Sequence, residues 1–127
     1  MKQKILLVSE TQDLWPVVQL KALAEKYEII FADINTDILN ELTKAEIADK
    51  GLIKIVILTK AYIFGHGPRH YADVINLAKS FFKELFIIGM VEKDKAMNYT
   101  PHVSDVIYIG ENNWDEVEEM LDSHFKI

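Results

Sequence analysis

The chain has 127 residues, of which half are hydrophobic and 27% are charged, a composition that excludes disordered and fibrous classes. Its 14 basic and 20 acidic residues give a net charge of -6, so it lacks the overall positive charge on which nonspecific nucleic-acid binding depends. We therefore expect a single domain over residues 1–127 that does not bind nucleic acid directly.

The absence of cysteine and the composition of the N-terminal segment exclude further classes of protein. The sequence contains no cysteine, which excludes a disulfide framework, a thiolate nucleophile and a cysteine-ligated metal site. The first apolar run, residues 5–8, is followed at once by Ser9 and Glu10, so it is too short for a signal peptide or a membrane span. We expect a soluble, cytoplasmic protein that does not enter the membrane.

The first half of the chain predicts a strand, a helix, a second strand, a second helix and a third strand. The strands are expected at residues 5–8, 28–32 and 52–58, where apolar runs are short and rich in β-branched side chains. Asp13 and Thr36 are expected to cap the helices, and Gly51 to end the second one. The inner faces would carry Leu14, Val17, Leu20, Ala24 and Tyr27 in the first helix, and Ile38, Leu42 and Ala45 in the second.

The second half continues the alternation. Strands are expected at residues 85–91 and 106–109, with a polar segment of at most two helical turns between them, at residues 92–104. Pro68 is expected to open one helix, and an Asn113–Glu116 capping box to open the last. Their inner faces would carry Tyr71, Val74, Ile75, Ala78, Phe81 and Phe82, and then Trp114, Val117, Leu121 and Phe125.

Apolar strands separated by helices require a parallel sheet covered on both faces. We expect an α/β fold with a three-layer, doubly wound, five-stranded parallel sheet in the flavodoxin-like order 2-1-3-4-5. In this topology a ligand site would lie at the carboxyl edge, formed by residues 9–13, 59–70 and 89–92.

The loop after the first strand, residues 9–13, contains no glycine. A dinucleotide fingerprint or a P-loop needs glycine there so that the backbone can approach phosphate, and both are therefore improbable. Ser9 and Thr11 occupy the place of a flavin-phosphate loop, but hydroxyls at a helix start are more often caps. We expect no cofactor.

The opening of the chain resembles bacterial response-regulator receiver domains. The resemblance lies in residues 4–14, Lys-Ile-Leu-Leu-Val-Ser-Glu-Thr-Gln-Asp-Leu, and residues 26–32, Lys-Tyr-Glu-Ile-Ile-Phe-Ala. The five strand–helix units and the helical close after Tyr108 extend it over nearly the whole chain.

The residues that perform receiver chemistry are missing. The resemblance implies an acidic pair after the first strand, where Ser9 and Glu10 stand, and a phosphoacceptor aspartate after the third, where Thr59 and Lys60 stand. It also implies a hydroxyl near Gly89 and a lysine near Gly110. We therefore expect a degenerate receiver, or pseudo-receiver, that is not phosphorylated. Lys60 would either neutralise a pocket beside Glu10 or point to solvent.

A glycine- and histidine-rich segment, residues 64–70, precedes the predicted helix at Pro68. Turn chemistry explains it most simply, an anion or nucleotide site is the second interpretation, and a metal site formed by His66 and His70 is the third. A ligand site at the carboxyl edge would consist of Ser9, Glu10, Lys60, His66, Arg69 and His70.

The last predicted helix is strongly acidic, with no basic residue between Glu111 and Asp122. A solvated helix face explains this pattern most simply. The alternative is a docking surface for a basic partner, formed by Tyr108, Glu118, Glu119 and Asp122, and the receiver resemblance also implies contacts at this face.

We expect a receiver-like signalling or regulatory module that acts through contacts with a protein partner. The alternative is a small-ligand module that binds a phosphorylated or anionic molecule at the carboxyl edge. No nucleophile–base–orienter set indicates catalysis, no metal site is expected, and the sequence leaves a homo-oligomer open.

Overall fold

The computed structural model describes residues 3–9, 17–47, 53–65, 67–100, 103, 106–111 and 113–125. Strands and helices alternate along these residues. The strands are β1 (Gln3–Ser9), β2 (Tyr27–Asp33), β3 (Ile53–Thr59), β4 (Phe86–Met90) and β5 (Val106–Tyr108). The helices are α1 (Val17–Lys26), α2 (Ile38–Ile47), α3 (Lys60–Gly65), α4 (Pro68–Phe81), α5 (Lys93–Tyr99) and α6 (Trp114–Phe125).

The strands form one sheet in the order β2-β1-β3-β4-β5, and every neighbouring pair is parallel. This confirms the predicted three-layer α/β fold and its strand order. Ser9 lies beside Asp33, Thr59 beside Met90 and Gly89 beside Tyr108. The carboxyl ends of the strands therefore meet at one edge, as the parallel arrangement requires.

Each face of the sheet is covered by its own hydrophobic core. The α4-side core contains Leu6 and Val8 of β1 and is covered by α2, α3, α4 and α5. The α6-side core contains Ile5 and Leu7 and is covered by α1 and α6. Neighbouring residues of a strand point to opposite faces, so β1 serves both cores. None of the helices in the described residues has the length and hydrophobicity that crossing a bilayer requires.

The start of α2 differs from the prediction. Asp37, not Thr36, caps the helix, because its carboxylate accepts the Asn40 N–H at 3.2 Å. Thr36 belongs to the preceding turn, where its N–H donates to the Asp33 carbonyl at 3.1 Å. The predicted cap at Asp13 and stop at Gly51 lie outside the described residues.

Two element boundaries were also predicted wrongly. Tyr27 is the first residue of β2 rather than the last inward residue of α1, and it is completely buried. The predicted loop after β3 contains α3, which buries Tyr62 and Ile63. A helix of six residues is too short to show helical periodicity, so the sequence pattern did not reveal it.

Phe81 was wrongly predicted to lie on the inner face of α4. Tyr71, Ile75 and Ala78 are buried, but Phe81 is 71% exposed. The inward spacing continues from Ala78 to Phe82, which packs partly buried against the α4-side core just beyond the helix. Phe81 is left facing outward.

Candidate functional site

The end of β1 is linked to the end of β3 at the carboxyl edge. Ser9 is buried, and the Thr59 hydroxyl donates to the Val8 carbonyl at 2.8 Å. This bond ties the end of β3 to the end of β1. Glu10 and His66, both predicted as ligand residues, lie outside the described residues.

Lys60 contacts a residue that the sequence interpretation did not consider. Its ammonium lies 3.6 Å from the Glu111 carboxylate, and each side chain is about half exposed, at 52% and 53%. Glu111 follows β5, so the ion pair crosses the carboxyl edge from β3 to β5. Lys60 therefore forms an ion pair with Glu111, which lies beyond β4 in the sheet.

Arg69 and His70 lie in the first turn of α4 and are exposed. The turn is preceded by Gly67, whose φ of 88° favours glycine, and the Gly67 carbonyl accepts the Tyr71 N–H at 3.2 Å. Gly67 and Pro68 thus perform the turn and helix-start chemistry predicted for this segment. In the described residues no group of three or more His, Asp or Glu side chains could hold a metal ion.

An aromatic pair lies near the same edge. The hydroxyls of Tyr71 and Tyr108 are 2.8 Å apart, and the ring of Tyr108 covers Gly89 so closely that a Cβ there would lie 2.8 Å from it. Burial is the main cause that raises the pKa of Tyr71, and the hydrogen bond to Tyr108 raises it further. Burial also raises the pKa of Tyr108 and outweighs the opposing effect of its bond to Tyr71. The sequence interpretation missed this pair, because the two residues are far apart in the chain.

Further aromatic side chains are provided by α3. Phe64 and Tyr99 form an edge-to-face pair with ring centroids 4.8 Å apart. Burial, assisted by the negative charge of Asp37, raises the pKa of Tyr62 to about 12. The Phe64–Tyr99 contact is a packing interaction, and it joins α3 to α5.

The acidic run of α6 is divided between two environments. Asp122 accepts from the Lys26 ammonium at 2.6 Å and from the Tyr27 hydroxyl at 3.2 Å, while Glu118 lies 3.5 Å from Lys26. The bond to Asp122 is the main cause that raises the pKa of Lys26. Glu118 and Asp122 therefore join α6 to the end of α1. Of the three predicted acids, Glu119 is exposed and the other two are half-buried.

Tyr108 does not lie beside these acids. It packs against the α4-side core, whereas α6 covers the α6-side core on the opposite face of the sheet. The predicted surface of Tyr108, Glu118, Glu119 and Asp122 is therefore not continuous. Strand alternation explains the error, since Ile107 and Ile109 face α6 and Tyr108 points away from it.

A groove lies where α6 meets the edge strand β5. Its volume is about 600 Å³, and we call it the β5–α6 groove. The His124 ring stacks on Phe86 with centroids 4.2 Å apart and an interplanar angle of 33°. The lining combines apolar side chains with two carboxylates. The lining residues are Phe86, Ile107, Glu116, Glu119, Met120, Ser123 and His124.

The fold defines a class of protein, the doubly wound parallel α/β domains. No family model matches the chain, and no curated protein matches it. Among solved structures, it is similar to the TrkA-N domain of the inner membrane protein YbaL from Escherichia coli, with 15% sequence identity and a TM-score of 0.50 over 97% of each chain.

This comparison corrects the receiver identification. The similar solved structure is a TrkA-N domain, and no family model supports a receiver domain. The receiver resemblance was wrong because spacing of strands and helices is shared by many doubly wound folds, while the residues specific to receivers were absent at Ser9, Thr59 and Lys60. The similarity to the TrkA-N domain establishes the fold.

Proposed function

We propose that the chain is a single-domain regulatory module that acts through protein–protein contact, with the β5–α6 groove as its docking surface. The observation that carries this proposal is the chemistry of the groove. The apolar side chains of Phe86, Ile107 and Met120, which we call the apolar floor, line the groove together with Glu116 and Glu119, which we call the acidic rim. An apolar floor with an acidic rim suits a polypeptide segment that combines basic and apolar side chains.

The two rim carboxylates differ from Glu118 and Asp122, the acids of α6 that lie near the end of α1. Glu118 and Asp122 both lie near the single ammonium of Lys26 of the same chain, which offsets part of their charge. Glu116 accepts from the Asn113 amide at 2.6 Å, a neutral donor that orients the carboxylate and leaves its charge in place. Glu119 is exposed. The rim therefore supplies the charge of the proposed surface.

The edge strand favours a polypeptide over a small molecule. β5 is the last strand of the sheet and pairs with β4 on one side. On the other side it has no strand partner within the described residues. An open strand edge offers backbone groups to an extended segment, and Ile107 of this strand lines the groove.

Site-specific photo-crosslinking in the native host tests the proposal. A benzophenone amino acid at Ser123, inside the groove, is expected to capture a polypeptide. The same group at Asp115, which is exposed on α6 but does not line the groove, is the matched control and is expected to capture little. Introducing Glu116→Lys and Glu119→Lys into the chain that carries the benzophenone at position 123 should abolish the crosslink to the polypeptide. Equal adducts at both positions, or an adduct that survives the two reversals, would contradict the proposal.

The anionic-ligand alternative at the carboxyl edge stays a prediction. It is tested by thermal unfolding with and without inorganic phosphate, since a ligand that binds the folded state raises its stability. A phosphate-dependent rise in Tm that Arg69→Ala abolishes, and that Lys95→Ala on α5 retains, would favour the alternative.

A further inference from the structure

Phe81 forms an exposed apolar projection at the end of α4. It is 71% exposed, and Leu77, one helical turn earlier, is 46% exposed. Residues four apart on a helix are neighbours on its surface, so the two side chains form one apolar patch. Beside it is a hollow of about 290 Å³ that is lined by Phe81, Lys54 and Lys83, among others. Its lining contains two lysines and one glutamate, Glu84, and is therefore positively charged. We call Leu77, Phe81, Lys54 and Lys83 the Phe81 knob.

The knob is complementary to the β5–α6 groove. Phe81 supplies an aromatic ring for the apolar floor, and Lys83 supplies a positive charge for the acidic rim at Glu116 and Glu119. Lys79 is engaged elsewhere, since its ammonium donates to the Leu85 carbonyl at 2.7 Å. That bond fixes the chain just after the knob. The Phe81 knob therefore matches the β5–α6 groove in both apolar character and opposite charge.

The positions of knob and groove allow two copies to exchange both contacts. A tight turn separates them: the Leu85 N–H donates to the Phe82 carbonyl at 3.0 Å, and the next residue, Phe86, already lines the groove. Knob and groove therefore flank one short segment at the amino end of β4. When each copy offers its knob to the groove of the other about a two-fold axis, the assembly closes at two chains.

We propose that the occupant of the β5–α6 groove is the Phe81 knob of a second copy of this chain, in a symmetric homodimer. This inference rests on the proposed function, because it names the polypeptide that docks in the same groove. Each copy inserts Phe81 over Phe86 and Met120 of the other, and places Lys83 against the rim acids. The ion pairs lie at the border of the contact, so salt weakens the dimer.

Charge reversal followed by mixing tests the dimer. Lys83→Glu alone, and Glu119→Lys alone, place like charges at both contacts and should weaken the dimer at least about tenfold. Mixing the two variants should restore a dimer, because in the mixed pair one contact joins the new carboxylate to the new ammonium and the other contact is unchanged. Light scattering measures the mass, and circular dichroism checks that each variant is folded. Lys93→Glu on α5 is the matched control and should leave the dimer intact.

Failure of this inference is distinguishable from failure of the docking proposal. A wild-type chain that stays monomeric at high concentration, single variants that still dimerise, or a mixture that stays monomeric would overturn the homodimer. A Ser123 adduct with a different polypeptide in those cases would leave the groove as a docking surface. Absence of a groove-dependent adduct together with a monomeric chain would overturn both.

Discussion

The Lys26 ammonium and the Asp122 carboxylate lie 2.6 Å apart and join the end of α1 to α6. The same carboxylate accepts the hydroxyl of Tyr27, a residue that is completely buried. This arrangement gives Asp122 a structural role, in contrast to Glu116 and Glu119, which belong to the proposed docking surface.

Replacing Asp122 should therefore change stability more than replacing a rim acid. Asp122→Ala removes the acceptor of both Lys26 and the Tyr27 hydroxyl, and we expect a loss of about 1–2 kcal/mol in the free energy of unfolding. Glu119→Ala on the same helix should change it by less than about 0.5 kcal/mol. Urea unfolding measures both. Equal losses in the two variants would show that the Lys26–Asp122 contact is not structural.

Gly89 is required by the ring of Tyr108. A methyl group at Gly89 would lie 2.8 Å from two ring atoms and 3.2 Å from Ile63, so Gly89→Ala should cost about 1–3 kcal/mol. Gly110→Ala is the matched control, because a Cβ there meets no atom within 4 Å. Urea unfolding of the two variants should differ by that amount, and an unchanged Gly89→Ala would contradict the close contact.

The Tyr71–Tyr108 pair predicts a loss of stability at alkaline pH. The ordinary pKa of Tyr71 is 10.0 and the folded state raises it. A raised pKa contributes stability that is fully present below about pH 10 and is lost as the pH rises toward the folded-state value, because the unfolded phenol ionises first. Unfolding at about pH 8 and about pH 11 should show a smaller alkaline loss in Tyr71→Phe than in the wild type. An identical alkaline loss would contradict this assignment.

The Lys60–Glu111 ion pair should contribute little to stability. Both side chains are about half exposed, and pairs of this kind contribute at most about 1 kcal/mol and weaken in salt. A double-mutant cycle of Lys60→Ala and Glu111→Ala should give a coupling energy below that value. A larger, salt-independent coupling would show that the pair is shielded from solvent.

The sheet could be predicted because the sequence patterns that specify it are local. Each strand is a short apolar run, each long helix has an inward stripe, and the parallel order follows from right-handed crossovers. The polar segment before β5 contains α5, seven residues long, within the two turns that were predicted. The predicted link between Asn113 and Glu116 is also present, although it joins two side chains.

The candidate site was less predictable because it depends on pairs distant in sequence. Nothing near Asp122 in the sequence indicates Lys26, and nothing near Lys60 indicates Glu111. The alternation of β5 does predict that Ile107 and Tyr108 face opposite ways, and this signal could have separated Tyr108 from the acids of α6. Phe81 was assigned inward because Phe81 and Phe82 both fit the spacing from Ala78, and only packing decides between them.

The central claim, that the β5–α6 groove accepts the basic and apolar segment around Phe81, is tested most directly by methyl NMR of the four methionines. Met120 lines the groove, while Met97 is exposed on α5, over the opposite face of the sheet. Titration with a peptide copying residues 77–85, which carries Phe81 and Lys83, should shift the Met120 methyl signal saturably, leave Met97 unchanged, and lose its effect in Glu119→Lys. A Met120 signal that does not move, or one that moves equally in Glu119→Lys, would contradict the account.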